Sequence, residues 1–228
     1  MKPLRDWDDL PDFMRTKEVR PYYNILKKHE KELYLKRAFD VVAASILLVL
    51  LAPIMLVVAV WIKLDSPGPV FFRQTRITQY GKEFRIFKFR TMVNNADKMG
   101  SAVTVGNDSR ITKVGAIIRN YRIDEFPQLF NVLSGDMSFV GARPEVRKYV
   151  EAYTNAMFAT LLLPAGITNE ASIRFKDEGL ILAESEDSDK TYIMEILPDK
   201  MMICLESLSS FSSLSEFKVL FKTIIAVI

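Results

Sequence analysis

VVAASILLVLLAPIMLVVAVWI, residues Val41–Ile62, contains no charged residue. About 20 apolar residues suffice for a helix to span a bilayer, so the run is a membrane segment by length. The 40 residues ahead of it are of mixed charge, which is far longer than the basic leader of a signal peptide. Pro53, near the middle, lacks a backbone donor and presses on the carbonyl of Val49, which predicts a kink. Basic residues flank both ends, Lys27, Lys28, Lys31, Lys36 and Arg37 before, Lys63, Arg73 and Arg76 after. Such flanks favour the cytoplasmic side, and both cannot lie there if the helix crosses once. A re-entrant helix that breaks at the proline satisfies both, provided the freed backbone groups find partners. A single-pass anchor and a buried soluble helix are the alternatives. Trp61 suits an interfacial anchor or plain packing.

Composition narrows the chemistry outside this run. The 228 residues are 49% apolar and 26% charged, enough for a folded core, and a net charge of +3 gives no case for nucleic acid. Cys204 is the only cysteine and His29 the only histidine. An internal disulfide, a thiolate zinc cluster, a Ser–His–Asp triad and a His-ligated metal are therefore disfavoured. Catalysis falls to carboxylates, lysines, arginines or a carboxylate-bound metal. At the C-terminus, Phe217, Leu220, Phe221, Ile224 and Ile225 follow helical spacing, with Lys218 and Lys222 one turn apart. That helix either lies in a membrane interface or covers the core.

Between the two apolar segments the sequence predicts a polar domain. Asp65-Ser-Pro-Gly-Pro69 is a turn, followed by strands over Val70–Ile77 and Glu83–Met92 around Gly81. Phe84, Ile86, Lys88 and Arg90 share one strand face, so the two cations either meet an anion or form a solvated edge. Asn94–Arg110 reads as a loop or broken helix, and Ile111, Val114, Ile118 and Tyr121 outline a short amphipathic helix. Asp124-Glu-Phe-Pro127 resembles a helix start, with Leu129, Phe130 and Leu133 as its buried face and Gly135 as its stop. A further helix is expected from Pro144, and Glu184–Asp189 as a solvated acidic loop.

The adjacent carboxylates of Asp124 and Glu125 sit in sequence between Arg119/Arg122 and Arg143. Like charges resist ionising together unless a cation compensates. Mg²⁺ takes one or two protein carboxylates plus substrate phosphates, and a carboxylate can also attack phosphorus to give an acyl phosphate. A plain helix cap accounts for the same pair without any chemistry.

KFRTM (Lys88–Met92), RIDEFPQLFNVLSGDMSFVGARPE (Arg122–Glu145) and GIT (Gly166–Thr168) resemble the bacterial sugar transferases, the monotopic phosphoglycosyl transferases. The likeness runs from about Lys36 to Thr168 and returns weakly in the C-terminal helix. It implies an α+β, mostly helical fold with an N-terminal re-entrant membrane helix and a small β-hairpin. Amphipathic interfacial helices would surround a catalytic core on the cytoplasmic face of the bacterial inner membrane. It further implies a UDP-sugar and polyprenyl (undecaprenyl) phosphate as substrates, the lipid bilayer as partner, and Mg²⁺, with Mn²⁺ as an alternative. Asp124 matches the nucleophile that takes the phosphosugar while UMP leaves, and Glu125 beside it matches the metal-holding glutamate. Lys88, Arg90, Arg119, Arg143 and Pro144 match substrate-binding positions. The sequence departs from the family at Ala52-Pro53, where Ser-Pro is common at the membrane break, and at Ala142-Arg143-Pro144, where PRP is common. It departs again after Thr168, where Asn169-Glu-Ala-Ser-Ile-Arg174 replaces a tryptophan- and glutamine-containing continuation.

The expected organisation is an N-terminal extension over 1–35 forming an interfacial helix, the re-entrant helix over 36–64, and a catalytic domain over 65–228. A homodimer is left open. The rival functions are a conventional glycosyltransferase releasing UDP, a ternary-complex enzyme without a covalent adduct, and an inactive membrane scaffold for glycan assembly.

Overall fold

The computed structural model describes residues 2–96, 108–175, 178–183 and 185–227. Parts of the expected Asn94–Arg110 loop and the acidic Glu184–Asp189 stretch lie outside them. The described residues are mostly helical with two small sheets, as expected of an α+β fold.

Two short 3₁₀ turns and helix α1 (Arg20–Lys28) lead into α2 (Glu30–Asp65), a 36-residue helix that contains the apolar run. The expected interruption at Ala52-Pro53 is absent: α2 is one helix, six residues longer at its start than expected. Pro53 costs one hydrogen bond, but it faces outward. The opposite face packs on the domain through Ala44, Leu48 and Leu51 before the proline and Met55, Val58 and Ile62 after it. The N-terminal residues pack onto the rest of the chain. Leu4, Met14, Val19 and Leu26 are fully buried against Ala159, Leu162 and Phe211, forming a core of their own.

After α2, strands β1 (Phe71–Ile77) and β2 (Glu83–Phe89) form an antiparallel hairpin in which Phe71 faces Phe89 and Ile77 faces Glu83. Helix α3 (Lys113–Asn120) is capped by the Thr112 hydroxyl, which accepts from the Gly115 N–H at 3.0 Å. Next come a 3₁₀ turn, Ile123–Glu125, and helix α4 (Gln128–Ser134), which ends at Gly135. The buried face of α4 is Gln128, Leu129, Asn131 and Val132. Phe130 instead is 41% exposed and packs on Phe87, because the helix starts at Gln128 rather than at the acidic pair.

Strands β3 (Met137–Val140) and β4 (Ala165–Thr168) pair in parallel, a sheet with no counterpart in the expected elements. The crossover holds α5 (Arg147–Val150), so the helix expected at Pro144 begins three residues later. Just past β3 the chains nearly touch: a Cβ on Gly166 would lie 2.2 Å from the Gly141 backbone, so both positions need glycine. Short helices α6 (Glu170–Arg174), α7 (Glu178–Ala183) and α8 (Ser188–Thr191) follow, then a π turn, Tyr192–Ile196. Helices α9 (Leu197–Ser209) and α10 (Ser213–Val227) complete the chain.

Both ends of α2 are tied to this one domain. Arg37 donates to the carbonyls of Val132 (2.6 Å) and Leu133 (2.9 Å), and buried Asp40 accepts from the Phe139 N–H. About 42 Å further along the helix, by its rise per residue, Asp65 accepts from the Val114 N–H. The outward face stays bare, with Val49 75% exposed, and so do Phe217, Phe221, Ile224 and Ile225 of α10.

Candidate active site

The chain turns sharply at Arg122, a non-glycine residue in the left-handed region (φ 55°), just ahead of the acidic pair. Strain of this kind, of order 1 kcal/mol or more, tends to be kept where function uses it. The turn does not make Asp124 a helix cap. Helix α4 begins beyond Pro127, and no side chain caps it.

Glu125 sits between two cations. Lys88 Nζ donates to Oε1 at 3.0 Å, and Arg143 pairs with both carboxylate oxygens. Burial pushes the Glu125 carboxyl up, yet Arg143 and Lys88 outweigh it and hold the group well below the usual glutamate range. Glu125 in turn raises Arg143, while burial lowers Lys88. Asp124 differs from its neighbour. It is 7% exposed and accepts no hydrogen bond from the described residues, although Lys88, Arg119 and Arg143 lie within Coulombic reach. Burial raises its pKa above the ordinary aspartate value, Lys88 opposes the rise, and Glu125 adds to it. A buried carboxylate left without hydrogen bonds is costly, and a ligand that completes it would offset that cost.

The structure thus gathers Lys88, Arg119, Asp124, Glu125 and Arg143. It does not bring Arg90 to them. Arg90 passes the end of β2 and donates to the carbonyls of Ser66 (2.8 Å), Pro67 and Ile62, closing the C-terminal end of α2. Gly68 (φ 130°) makes this possible, since a Cβ there would meet the guanidinium at 2.5 Å. Pro144 enters through its backbone: its carbonyl accepts from Arg76 at 3.2 Å, behind Arg143. Ala52 and Pro53 lie on the bare face of α2.

A cleft of about 710 Å³ opens beside the acidic turn. Leu47 and Leu51 of α2 and Ile224 and Ala226 of α10 give it apolar lining, and Glu125, Arg143 and Arg122 give it charged lining. Asp124 adjoins Glu125 but is not itself among the lining residues. Three further lining residues, Phe175, Glu178 and Lys200, escaped the sequence reading, while Ser172 falls in the Asn169–Arg174 stretch where the sequence departs from the family. Lys200 carried a usable signal: it falls on the apolar face of α9, beside Leu197, Met201 and Cys204. Asn131 was missed too. Its Oδ1 accepts from Phe87 N–H at 2.8 Å and its Nδ2 donates to the Arg85 carbonyl at 3.1 Å. It thereby locks the strand bearing Lys88 onto the helix that follows the acidic turn.

Among the described residues no three His, Cys, Asp or Glu side chains cluster as a protein-only metal cage. Both Glu125 oxygens are already paired with Lys88 and Arg143, so of the two carboxylates Asp124 is the one open to a hard cation completed by phosphate oxygens and water.

The bacterial sugar transferase family model matches residues 31–228, and the chain belongs to that family. It is 49% identical over 120 residues to the UDP-N-acetylgalactosamine-undecaprenyl-phosphate N-acetylgalactosaminephosphotransferase of Aeromonas hydrophila, covering 53% of this chain and 28% of that protein. It is 53% identical over 113 residues to the exopolysaccharide production protein PSS of Rhizobium leguminosarum bv. phaseoli, covering 49% and 56%. Over 192 residues it is 36% identical to the UDP-glucose:undecaprenyl-phosphate glucose-1-phosphate transferase of Caulobacter vibrioides, covering 83% and 68%. The chain therefore spans about a quarter to a half of the first two relatives.

Proposed function

We propose that this protein transfers a sugar 1-phosphate from a UDP-sugar to polyprenyl phosphate through a covalent adduct on Asp124. The observation that carries this reading is the cleft, which apolar residues of α2 and α10 line together with Glu125 and Arg143. A long lipid bearing a phosphate presents the same two chemistries. An Asp124 oxygen attacks the β-phosphorus, the bond to UMP breaks, and UMP leaves with the electron pair. An oxygen of the lipid phosphate then attacks the same phosphorus and releases the Asp124 carboxylate. Arg143 and Lys88 stand where the charge of the transferring group develops, and Glu125 holds both in place. Mg²⁺ or Mn²⁺ on Asp124 would supply charge neutralisation to the diphosphate.

The same geometry supports a membrane seat on one side of the bilayer. If α2 crossed the bilayer, the polar domain fixed to both its ends would have to cross as well. A shallow or re-entrant seat, with α10 in the interface, leaves the domain on one side. The exposed apolar residues of α10 favour that interface over a core role.

Purified protein supplied with undecaprenyl phosphate and UDP-sugars should release UMP and show ping-pong kinetics. Intact mass should find a phosphosugar on wild type but none on Asp124→Asn. UDP as product points to a conventional glycosyltransferase, and intersecting kinetics without an adduct to a ternary complex. Full function of Asp124→Ala in cells would mark a scaffold.

A further inference from the structure

Opposite Arg143, the wall of the cleft is built by α6, α7 and α9. Lys200 is only 4% exposed there, an expensive place for an ammonium. It donates to Glu178 Oε2 at 2.8 Å and to the Tyr192 hydroxyl at 3.1 Å, and Tyr192 is fixed by donating to Glu145 at 2.6 Å. An ammonium has three donors, so one remains while Lys200 lines the cleft. Ser172 also lines the cleft, and its hydroxyl, shielded from solvent, has no hydrogen-bond partner among the described residues. Glu178 presents a carboxylate and Phe175 an apolar ring on the same wall. A buried cation, a spare hydroxyl, an acceptor and an aromatic face form a set that would grip a polyol having both hydroxyls and C–H faces.

We propose that Lys200, Glu178 and Ser172, with Phe175, are the specificity-determining contacts for the sugar of the donor. The proposal rests on the transferase reading given above. These residues lie past Thr168, where the sequence leaves the family motifs; none of them pairs with Lys88 or Glu125, although Glu178 is within Coulombic reach of Arg143. The division of labour is then physical: the acidic turn handles the phosphates common to all donors, and the α6–α9 wall reads the sugar that differs. Discrimination between hydroxyl-bearing substrates comes from buried polar groups that the wrong substrate leaves unpaired.

The test is UMP release from a panel of UDP-hexoses and UDP-N-acetylhexosamines by the full chain and by Ser172→Ala, Glu178→Gln and Lys200→Met. Ser172→Ala removes a hydroxyl without a partner among the described residues and should fold; Glu178→Gln keeps its volume and an acceptor for Lys200, and a thermal melt shows that it is folded before its ratios are read. We expect the ratio of kcat/KM between preferred and disfavoured sugars to change roughly tenfold in at least one of these two, as loss of one polar contact allows. The KM for undecaprenyl phosphate should not move. An equal loss for every sugar, or unchanged ratios in both Ser172→Ala and Glu178→Gln, overturns the proposal while leaving the transferase reading intact. A wild-type protein that releases UMP from no donor overturns both.

Discussion

Replacing Glu125 by Gln is the sharpest probe of the charge balance around the acidic turn. Glutamine keeps the volume, but only one of its terminal atoms accepts, so its NH₂ must face Lys88 or Arg143. At an effective dielectric of about 20, charges 3.0 Å apart attract by about 5 kcal/mol, before the cost of desolvation is set against it. Breaking one buried pair while leaving its partner charged costs about 3–5 kcal/mol net. For a chain of this length each kcal/mol shifts the melting temperature by about 2–4 °C, so Glu125→Gln should melt about 6–20 °C lower at pH 7. The pH dependence has a definite sign. Glu125 is held below the ordinary glutamate value of 4.5, so its stabilisation is complete above that value and is lost as pH falls through the lowered folded-state value. The gap between wild type and variant should therefore narrow on acidification below about pH 4.5. Intrinsic fluorescence melts of detergent-solubilised protein from pH 3 to pH 8 would measure it. Equal stability at pH 7, or a gap that widens on acidification, refutes the pairing.

The neighbouring Asp124→Asn should behave oppositely: burial disfavours the Asp124 charge, so the variant should melt no lower than wild type while turnover falls about 10³-fold or more. With wild type, the acid limb of the rate profile should lie above the ordinary aspartate value, since the nucleophile must be ionised and its pKa is raised. Asn131→Ala should lower kcat by loosening Lys88 from Glu125 and should cost about 1–3 kcal/mol of stability, read by the same melts. Glu32 accepts from the Ser213 N–H (2.6 Å) and hydroxyl (2.9 Å), so Glu32→Ala should speed hydrogen exchange in the first turn of α10. The Cys204 thiol, pushed up to about 12 by burial, should resist thiol reagents at pH 8 until the protein is unfolded.

Which parts of the molecule were readable from residues alone follows from how local each signal is. The Val41–Ile62 run, the hairpin around Gly81 and the α3 face of Val114 and Ile118 depend on near neighbours, and each appears in the structure. The Asp124–Glu125 turn and its partners stood out because they share two short motifs. Strands β3 and β4 are four residues each, and their parallel pairing spans 24 intervening residues, so no alternation could announce them. Arg90 shared a strand face with Lys88, but the ladder ends before it, and the nearest unsatisfied acceptors are the last carbonyls of α2. Continuity at Pro53 was equally hidden, because it depends on a packing face supplied by α3, α4 and the hairpin.

Two costs that a soluble domain would avoid meet at one place in this molecule. Helix α2 leaves a row of large apolar side chains bare, and the acidic turn buries charges on every side. Leu47 and Leu51 sit where these features converge, on the edge of the bare helix and in the wall of the cleft that reaches Glu125. A bilayer against α2 and α10 offsets the first cost, and an anionic headgroup against Arg143 offsets part of the second. A lipid phosphate does both at once, with its chain among the apolar residues and its charge at the acidic turn. On the function proposed above, the sites for membrane and for acceptor would not be separate inventions: the face that seats the protein would deliver the acceptor to Asp124.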